Sequence, residues 1–293
     1  MKARLVWLLL CGIWGSTWLF IKLGLADLPP LTFAGIRFVI AFAILFLLIG
    51  ARHIRLPTNQ RDWLLLVVTG VLSFSLNYGL VFWGEQYISS GLAALLQATT
   101  PAFGLVFAHL HLPKERMTWA KIFGVVLGVF GVGVVFSNQL AVAGNRALAG
   151  CVALVLSSIF AAYSNVLVKT YGRNLEPAIL AAGQMFFGLL PLLLIGIPLE
   201  GNPLGYRWTP MAVVSLFYLA IVGSVIAFML YYWLIRNMDV TKSMLISLVT
   251  PVVAVILGMV VLREELNWRT IAGGAMIIVG IGIIVVRRIT KYK

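Results

Sequence analysis

Residues 83–103, WGEQYISSGLAALLQATTPAF, and residues 233–253, WLIRNMDVTKSMLISLVTPVV, decide the fold when set against each other. Trp83 falls on Trp233 and Pro101 on Pro251 at one offset, so each stretch carries a Thr-Pro step inside an apolar run. An interior proline removes a backbone hydrogen bond and clashes with the preceding turn, at about 3 kcal/mol or more in a soluble helix. A matched pair therefore needs a shared reason. The match continues into KERMTWAKIFGVVLGVFGVGVVF and REELNWRTIAGGAMIIVGIGIIV, which pair Glu115 with Glu264, Trp119 with Trp268, Gly124 with Gly273, Gly131 with Gly280 and Gly133 with Gly282. Upstream, Lys22 falls on Lys169 and Pro30 on Pro177. The chain reads as a duplication, residues 1–140 and 141–293.

Composition sets the solvent. The 293 residues are 61% hydrophobic and only 11% charged, and the mean hydropathy is +1.03. A soluble core cannot absorb that much apolar surface, and the charged fraction is about half that of a globular domain. Ten runs are long enough to cross a hydrocarbon core of about 30 Å as helix. They lie roughly at 4–24, 31–50, 62–83, 88–110, 117–137, 147–169, 177–197, 210–234, 240–262 and 268–287. The expected fold is all-α and integral to the membrane, with ten transmembrane helices. The basic start MKARLVW leads into an apolar run without a small-residue cleavage site, which reads as a retained first span.

The formal net charge of +13 raises the question of nucleic acid. Its distribution answers it. With the N-terminus inside, all of the 22 Lys and Arg residues except Lys22, Arg37, Arg146, Arg207, Arg263 and Arg269 fall on the cytoplasmic side, as the positive-inside rule demands. Both termini are expected in the cytoplasm, in a multi-pass protein of the cell (inner) membrane, and no nucleic-acid partner is needed. Five spans per unit is an odd number, so the second unit enters from the opposite face and the two form an inverted pair. In transporters such pairs hold substrate near the midplane and exchange conformations to open either side. A carbonyl freed by proline at mid-depth is satisfied there by a neighbour or a ligand.

The opening IWGSTWLFIKLGLADLPPLTFAGIRF, with Pro29, Pro30 and Arg37, resembles the start of EamA-domain proteins of the drug/metabolite transporter superfamily. The repeated Thr-Pro, the Glu-x-x-x-Trp after the fourth and ninth spans and the glycine pattern of the fifth extend the resemblance from end to end. It implies a ten-helix carrier with a central cavity for small metabolites such as amino acids.

Helical facing selects the candidate cavity residues. Gln97, Thr100 and Pro101 share one face of the fourth span; Ser243, Ser247, Thr250 and Pro251 share one face of the ninth. Trp14, Thr17 and Trp18 lie at depth in the first span, Asn77 and Tyr78 in the third, and Ser157, Tyr163, Ser164 and Asn165 in the sixth. An amide at such depth requires a partner. Pro101 and Pro251 are the expected hinges. Arg37 is expected to snorkel outward, Lys22 to anchor its helix end, Glu264 to complement the dipole of the helix it precedes, and the glycines of the fifth and tenth spans to let backbones approach. Cys11 and Cys151 read as packing residues. No metal, cofactor or enzyme constellation lies at one depth. The nine acids fall at span ends or loops, with Glu85, His109 and His111 left as candidates for proton linkage. Three functions compete: a carrier exporting small neutral or zwitterionic metabolites by alternating access, an exporter of toxic aromatic or cationic compounds, and, least, a membrane-embedded enzyme. With no acid buried at mid-span, a cationic drug lacks a counter-ion, which favours the first.

Overall fold

The computed structural model describes residues 2–111, 118–142, 144–172, 174–237 and 246–290. Among them there is no strand. The helices are α1 (Lys2–Gly24), α2 (Pro30–Ala51), α3 (Gln60–Glu85), α4 (Ser90–His111), α5 (Trp119–Val142), α6 (Gly144–Tyr171), α7 (Pro177–Glu200), α8 (210–237), α9 (Ile246–Val261) and α10 (Trp268–Thr290). Eight of these, α1 to α8, are long and apolar enough to cross a membrane, and α9 and α10 contribute shorter apolar stretches. The described part of α9 is 16 residues, about 24 Å of helix. The ninth run as read from the sequence starts earlier, among residues outside those described.

The outer surface of the bundle is apolar. Leu47 (71% exposed), Phe130 (64%), Leu194 (73%) and Val260 (73%) project from α2, α5, α7 and α9. Contiguous exposure of this kind is not tolerated in water and suits hydrocarbon. Inside, Phe33, Phe38, Leu66, Phe82, Leu96, Leu154 and Met185 belong to one core joining α2, α3, α4, α6 and α7. A second cluster, with Leu10, Cys11, Ile13, Ala227, Leu234 and Ile246, joins α1 to α8 and α9. The principal helix pairings are α5 with α10, α2 with α7, α1 with α8 and α9, α6 with α3 and α4, α3 with α7, and α2 with α8.

The glycine pattern explains the α5–α10 contact. A Cβ on Gly131 would lie 2.6 Å from the Gly273 carbonyl oxygen, the reverse substitution meets Gly131 at the same 2.6 Å, and one on Gly280 would lie 2.5 Å from the Gly124 oxygen. Backbone cannot yield as a side chain can, so these positions exclude any larger residue. Gly133 and Gly282 are outside this seam, with nothing nearer than 4.0 Å. Gly280→Ala is expected to destabilise by about 2 kcal/mol through overpacking, seen as a lower Tm in detergent. Gly133→Ala should melt with the parent, and equal Tm values for all three proteins would overturn the seam.

Three helices depart from α geometry. α4 breaks at Ala98–Thr99 into Ser90–Gln97 and Thr100–His111. Pro101 has no N–H to give the Gln97 carbonyl. That carbonyl instead accepts the Thr100 hydroxyl at 2.7 Å and lies 3.5 Å from the Ser158 hydroxyl, while Thr99 N–H and Ala102 N–H tighten to the carbonyls three residues back. α9 runs unbroken through Pro251, with Thr250 Oγ1 donating to Ile246 O at 2.7 Å. The two Thr-Pro steps thus differ, one a break and one a continuous helix. α3 and α8 each widen to π geometry, over Val71–Asn77 and Tyr218–Ile226.

Candidate functional site

The widened turn of α3, the break in α4 and the middle of α6 meet around one amide. Gln97 Nε2 donates to Asn77 Oδ1 at 3.0 Å, and Asn77 Nδ2 donates to Ser73 O at 3.1 Å. Gln97 Oε1 is 2.7 Å from the Ser157 hydroxyl and 3.2 Å from that of Ser158. Both serines are fully buried and Asn77 is 7% exposed, whereas Gln97 is half-buried. Each amide nitrogen carries two protons and uses one within the cluster. The second proton of each is available to a ligand. Thr100, a turn further along α4, is committed to its own helix by the bond to Gln97 O.

Next to Asn77 on α3, Tyr78 packs its ring against Phe38, Phe74 and Phe82 at centroid distances of 5.0, 5.7 and 6.4 Å. The Arg37 guanidinium lies 5.0 Å from the Tyr78 ring. Arg37 is 1% exposed, so the snorkelling expected from the sequence does not occur. The reason is its face on α2: Phe33, Ala34 and Ala41, a turn to either side, are all buried, and the side chain enters the bundle with them.

On α1, Trp14 packs against Tyr231 (5.1 Å) and Phe228 (6.1 Å) of α8. Thr17 Oγ1 donates to Trp14 O at 2.7 Å and its methyl faces Gly223. Trp18 is half-buried against the main core. Ser16 Oγ is 2.6 Å from Tyr218 OH, whose ring stacks on Phe20 at 3.9 Å. Gly15 seats α9: an added Cβ would meet Val253 at 2.5 Å and Thr250 O at 3.3 Å. Trp14, Thr17, Trp18 and Thr250 are therefore gathered along the α1 contacts, with Ser247 half-buried on α9. Tyr163 lies instead against Phe107 and His111 near the end of α4, and Asn165 is exposed. Neither reaches the amide cluster; Ser157 and Ser158 take that role on α6. Ser243 lies outside the described residues.

One end of the bundle, where α1, α3, α7 and α9 finish, is stitched by polar side chains. Lys22 Nζ donates to Glu85 O (2.6 Å), Ile88 O (2.7 Å) and Gln86 O (3.4 Å). Glu264 accepts from Ser90 N (2.7 Å), Ser90 Oγ (3.0 Å) and Gly91 N (3.2 Å), so it caps α4 and not the helix that follows it. Glu200 does the same for α2, accepting from Leu31 N, Thr32 N and Thr32 Oγ1 at 2.8, 2.7 and 2.6 Å. Asp27 joins Arg207 at 3.3 Å and Thr209 Oγ1 at 2.6 Å. Glu85 is fully buried and its carboxyl oxygens have no hydrogen-bond partner among the described residues. Nor do the described residues place three His, Cys, Asp or Glu side chains together as a metal site. Cys11 and Cys151 are buried free thiols.

An apolar-coated bundle of helices long enough to cross a bilayer, with polar groups gathered in its interior, is a multi-pass membrane protein. The chain belongs to the EamA-like transporter family, whose family model matches residues 1–137 and 148–286. It is 33% identical over 254 residues to the uncharacterized inner membrane transporter YedA of Escherichia coli K12, covering 84% of this chain and 78% of that one. It is 28% identical over 270 residues to the uncharacterized transporter YoaV of Bacillus subtilis strain 168, with 92% and 91% covered. A protein solved by crystallography shares the fold with a TM-score of 0.68 at 19% identity, over 98% of both chains.

Proposed function

We propose that the protein is a secondary carrier of ten transmembrane helices in two inverted five-helix repeats, 1–140 and 141–293, that moves small neutral or zwitterionic metabolites such as amino acids out of the cell by alternating access. Both termini are cytoplasmic in this reading. The observation that carries it is the Asn77–Gln97–Ser157 cluster, where a helix broken at Ala98–Thr99, just before Pro101, presents unused amide protons inside the bundle. Hydrophobic packing alone gives no reason to place two amides and two hydroxyls there.

The inverted repeat is supported by the helix pairings. Adding five to each helix number converts α1·α9 into α6·α4, α3·α6 into α8·α1 and α3·α7 into α8·α2, while α5·α10 and α2·α7 map onto themselves. The two π segments fall on α3 and α8, equivalent positions in the two halves, and π turns are frequent at functional sites. The stitched end is then the outer face, closed in this conformation. Export of aromatic cations is favoured by the Trp14, Tyr231 and Phe228 rings, but the buried Arg37 cation repels such a cargo. No nucleophile with a base, and no metal cluster among the described residues, supports an enzyme.

The test is uptake and efflux of labelled amino acids in liposomes holding the purified chain, with and without a pH gradient. Asn77→Ala and Gln97→Ala are each expected to slow transport at least about 10-fold, the weight of one lost polar contact to a charge or amide, with Tm close to the parent. A parent that moves no amino acid, or variants that transport like the parent, would remove the reading.

A further inference from the structure

We infer that Arg37 is the binding site for a carboxylate on the transported molecule, so that the cargo class is small carboxylic acids, amino acids included. The inference rests on the carrier reading above. Arg37 is 1% exposed and keeps its charge at any physiological pH. Its guanidinium is held over the rings of Tyr78, Phe38 and Phe82 at 5.0, 5.1 and 5.9 Å. Nε donates to Ser224 Oγ at 3.1 Å, and Nη1 is buried with no hydrogen-bond partner. No carboxylate lies within ion-pair distance among the described residues.

The packing leaves the group half-served. Ser224 is already bonded through its own proton to Leu219 O at 2.9 Å, so it holds the guanidinium without needing it. On the side of α1 and α8, Gly223 carries no side chain, and a Cβ there would be 2.8 Å from the Thr17 methyl and 3.6 Å from Arg37 Nη2. Aromatic faces and the neutral hydroxyls of Ser224 and Tyr78 stabilise a buried cation far less than an anion does. The planar fork of donors fits a carboxylate in a bidentate manner. Tyr78 beneath the guanidinium follows Asn77 directly in α3, so the guanidinium and the amide cluster lie at the same level of that helix. A site that alternates between two sides must be covered in part of its cycle, and Arg37 is covered here.

The probes are the protein amino acids, each beside its carboxamide and its decarboxylated amine, measured by thermal shift on the purified full chain and by liposome transport. At least one acid is expected to raise the Tm of the parent, with its amide and amine binding at least about 100-fold more weakly, as for loss of a desolvated charge contact. Arg37→Met is expected to lose that binding to the same extent while the ligand-free Tm rises by about 2–4 °C, because an unneutralised buried charge is replaced by apolar fill. Arg37→Lys should fall between the two. A purely structural arginine predicts a lower ligand-free Tm for Arg37→Met, and that result overturns the assignment. Acids and amides bound or moved alike by the parent overturn it without any variant and leave the carrier standing. If nothing in the panel is bound or moved, the carrier reading fails as well.

Discussion

Glu264→Ala is expected to destabilise the folded protein by about 3 kcal/mol, a fall in Tm of about 6–10 °C. Its carboxylate accepts from the first two N–H groups of α4, Ser90 and Gly91, and from the Ser90 hydroxyl. The first N–H groups of a helix have no partner within it, and Ser90 is fully buried, so water cannot replace the lost acceptor. The negative charge also faces the positive end of the helix dipole. Glu264→Gln keeps the shape but offers one acceptor oxygen and no charge, so about half of the loss is expected. Gly258 provides an independent check: the Glu264 carboxylate occupies the space that a Cβ would need, and Gly258→Ala should displace the cap and move Tm the same way. Glu265, exposed beside it, is the control, with Glu265→Ala inside about 0.5 kcal/mol of the parent. A Glu264→Ala protein that melts with the parent would mean that the cap contributes nothing.

The cap also marks where sequence reasoning stops. The Glu-x-x-x-Trp pattern identifies Glu264 as a residue near a helix start, but its partners lie 173 and 174 residues away, a distance that local pattern does not encode. The spans were legible because hydropathy is a property of a window of residues. The glycines of α5 and α10 were legible as points of close approach because they recur at helical spacing, but that the two helices meet each other is not encoded in either run. Gln97 and Asn77 could be singled out because amides are conspicuous in apolar runs. The choice along α6 was harder: Ser157, Ser158, Tyr163, Ser164 and Asn165 are all polar, and rotation and depth together decide that the first two meet Gln97 while Asn165 faces outward. The π turns in α3 and α8 shift the facing of everything beyond them by about 100°, a consequence of one extra residue per turn, and leave no mark in composition. Arg37 had a signal that was available. Phe33, Ala34 and Ala41 share its face, and small residues beside a charge point to an inward stripe, not to a snorkelling one.

The difference between the two Thr-Pro steps has the same origin. Both prolines free a carbonyl, and at Gln97 O a hydroxyl from another helix, Ser158, lies within reach. With an outside donor available, α4 opens at that point; α9 runs on through Pro251 with Thr250 bonded back to Ile246. In the alternating-access reading proposed above, this asymmetry is what a protein on one side of its cycle would have, its two proposed repeats holding different shapes.

Lys22→Ala is the substitution with the largest expected effect, about 4 kcal/mol and 8–14 °C in Tm. Its ammonium uses all three protons on the carbonyls of Glu85, Gln86 and Ile88, which close α3 and lead into α4. Removing it strands Glu85 O and Ile88 O in a region where Glu85 and Ile88 are buried, and each unmet carbonyl costs about 1–3 kcal/mol. It also changes the surroundings of the Glu85 carboxyl group. Lys22 and Glu264 are the charged groups that act on that carboxyl, so without Lys22 only a like charge remains. Glu85→Gln alone keeps Lys22 and its carbonyl contacts and exchanges one buried polar group for another of the same shape, so it is expected to change stability by less than about 1 kcal/mol. In the Lys22→Ala background the same change should recover about 1–2 kcal/mol, the coupling of neighbours in one network. Strictly additive losses across the four proteins would show that the lysine acts only as a carbonyl donor. In the alternating-access reading proposed above, this contact between α1 and the α3–α4 turn is one that separates when that end of the bundle opens. Weakening it should therefore alter the transport rate at temperatures where the fold is intact, and a Lys22→Ala protein that transports at the parent's rate there would place the moving seam elsewhere.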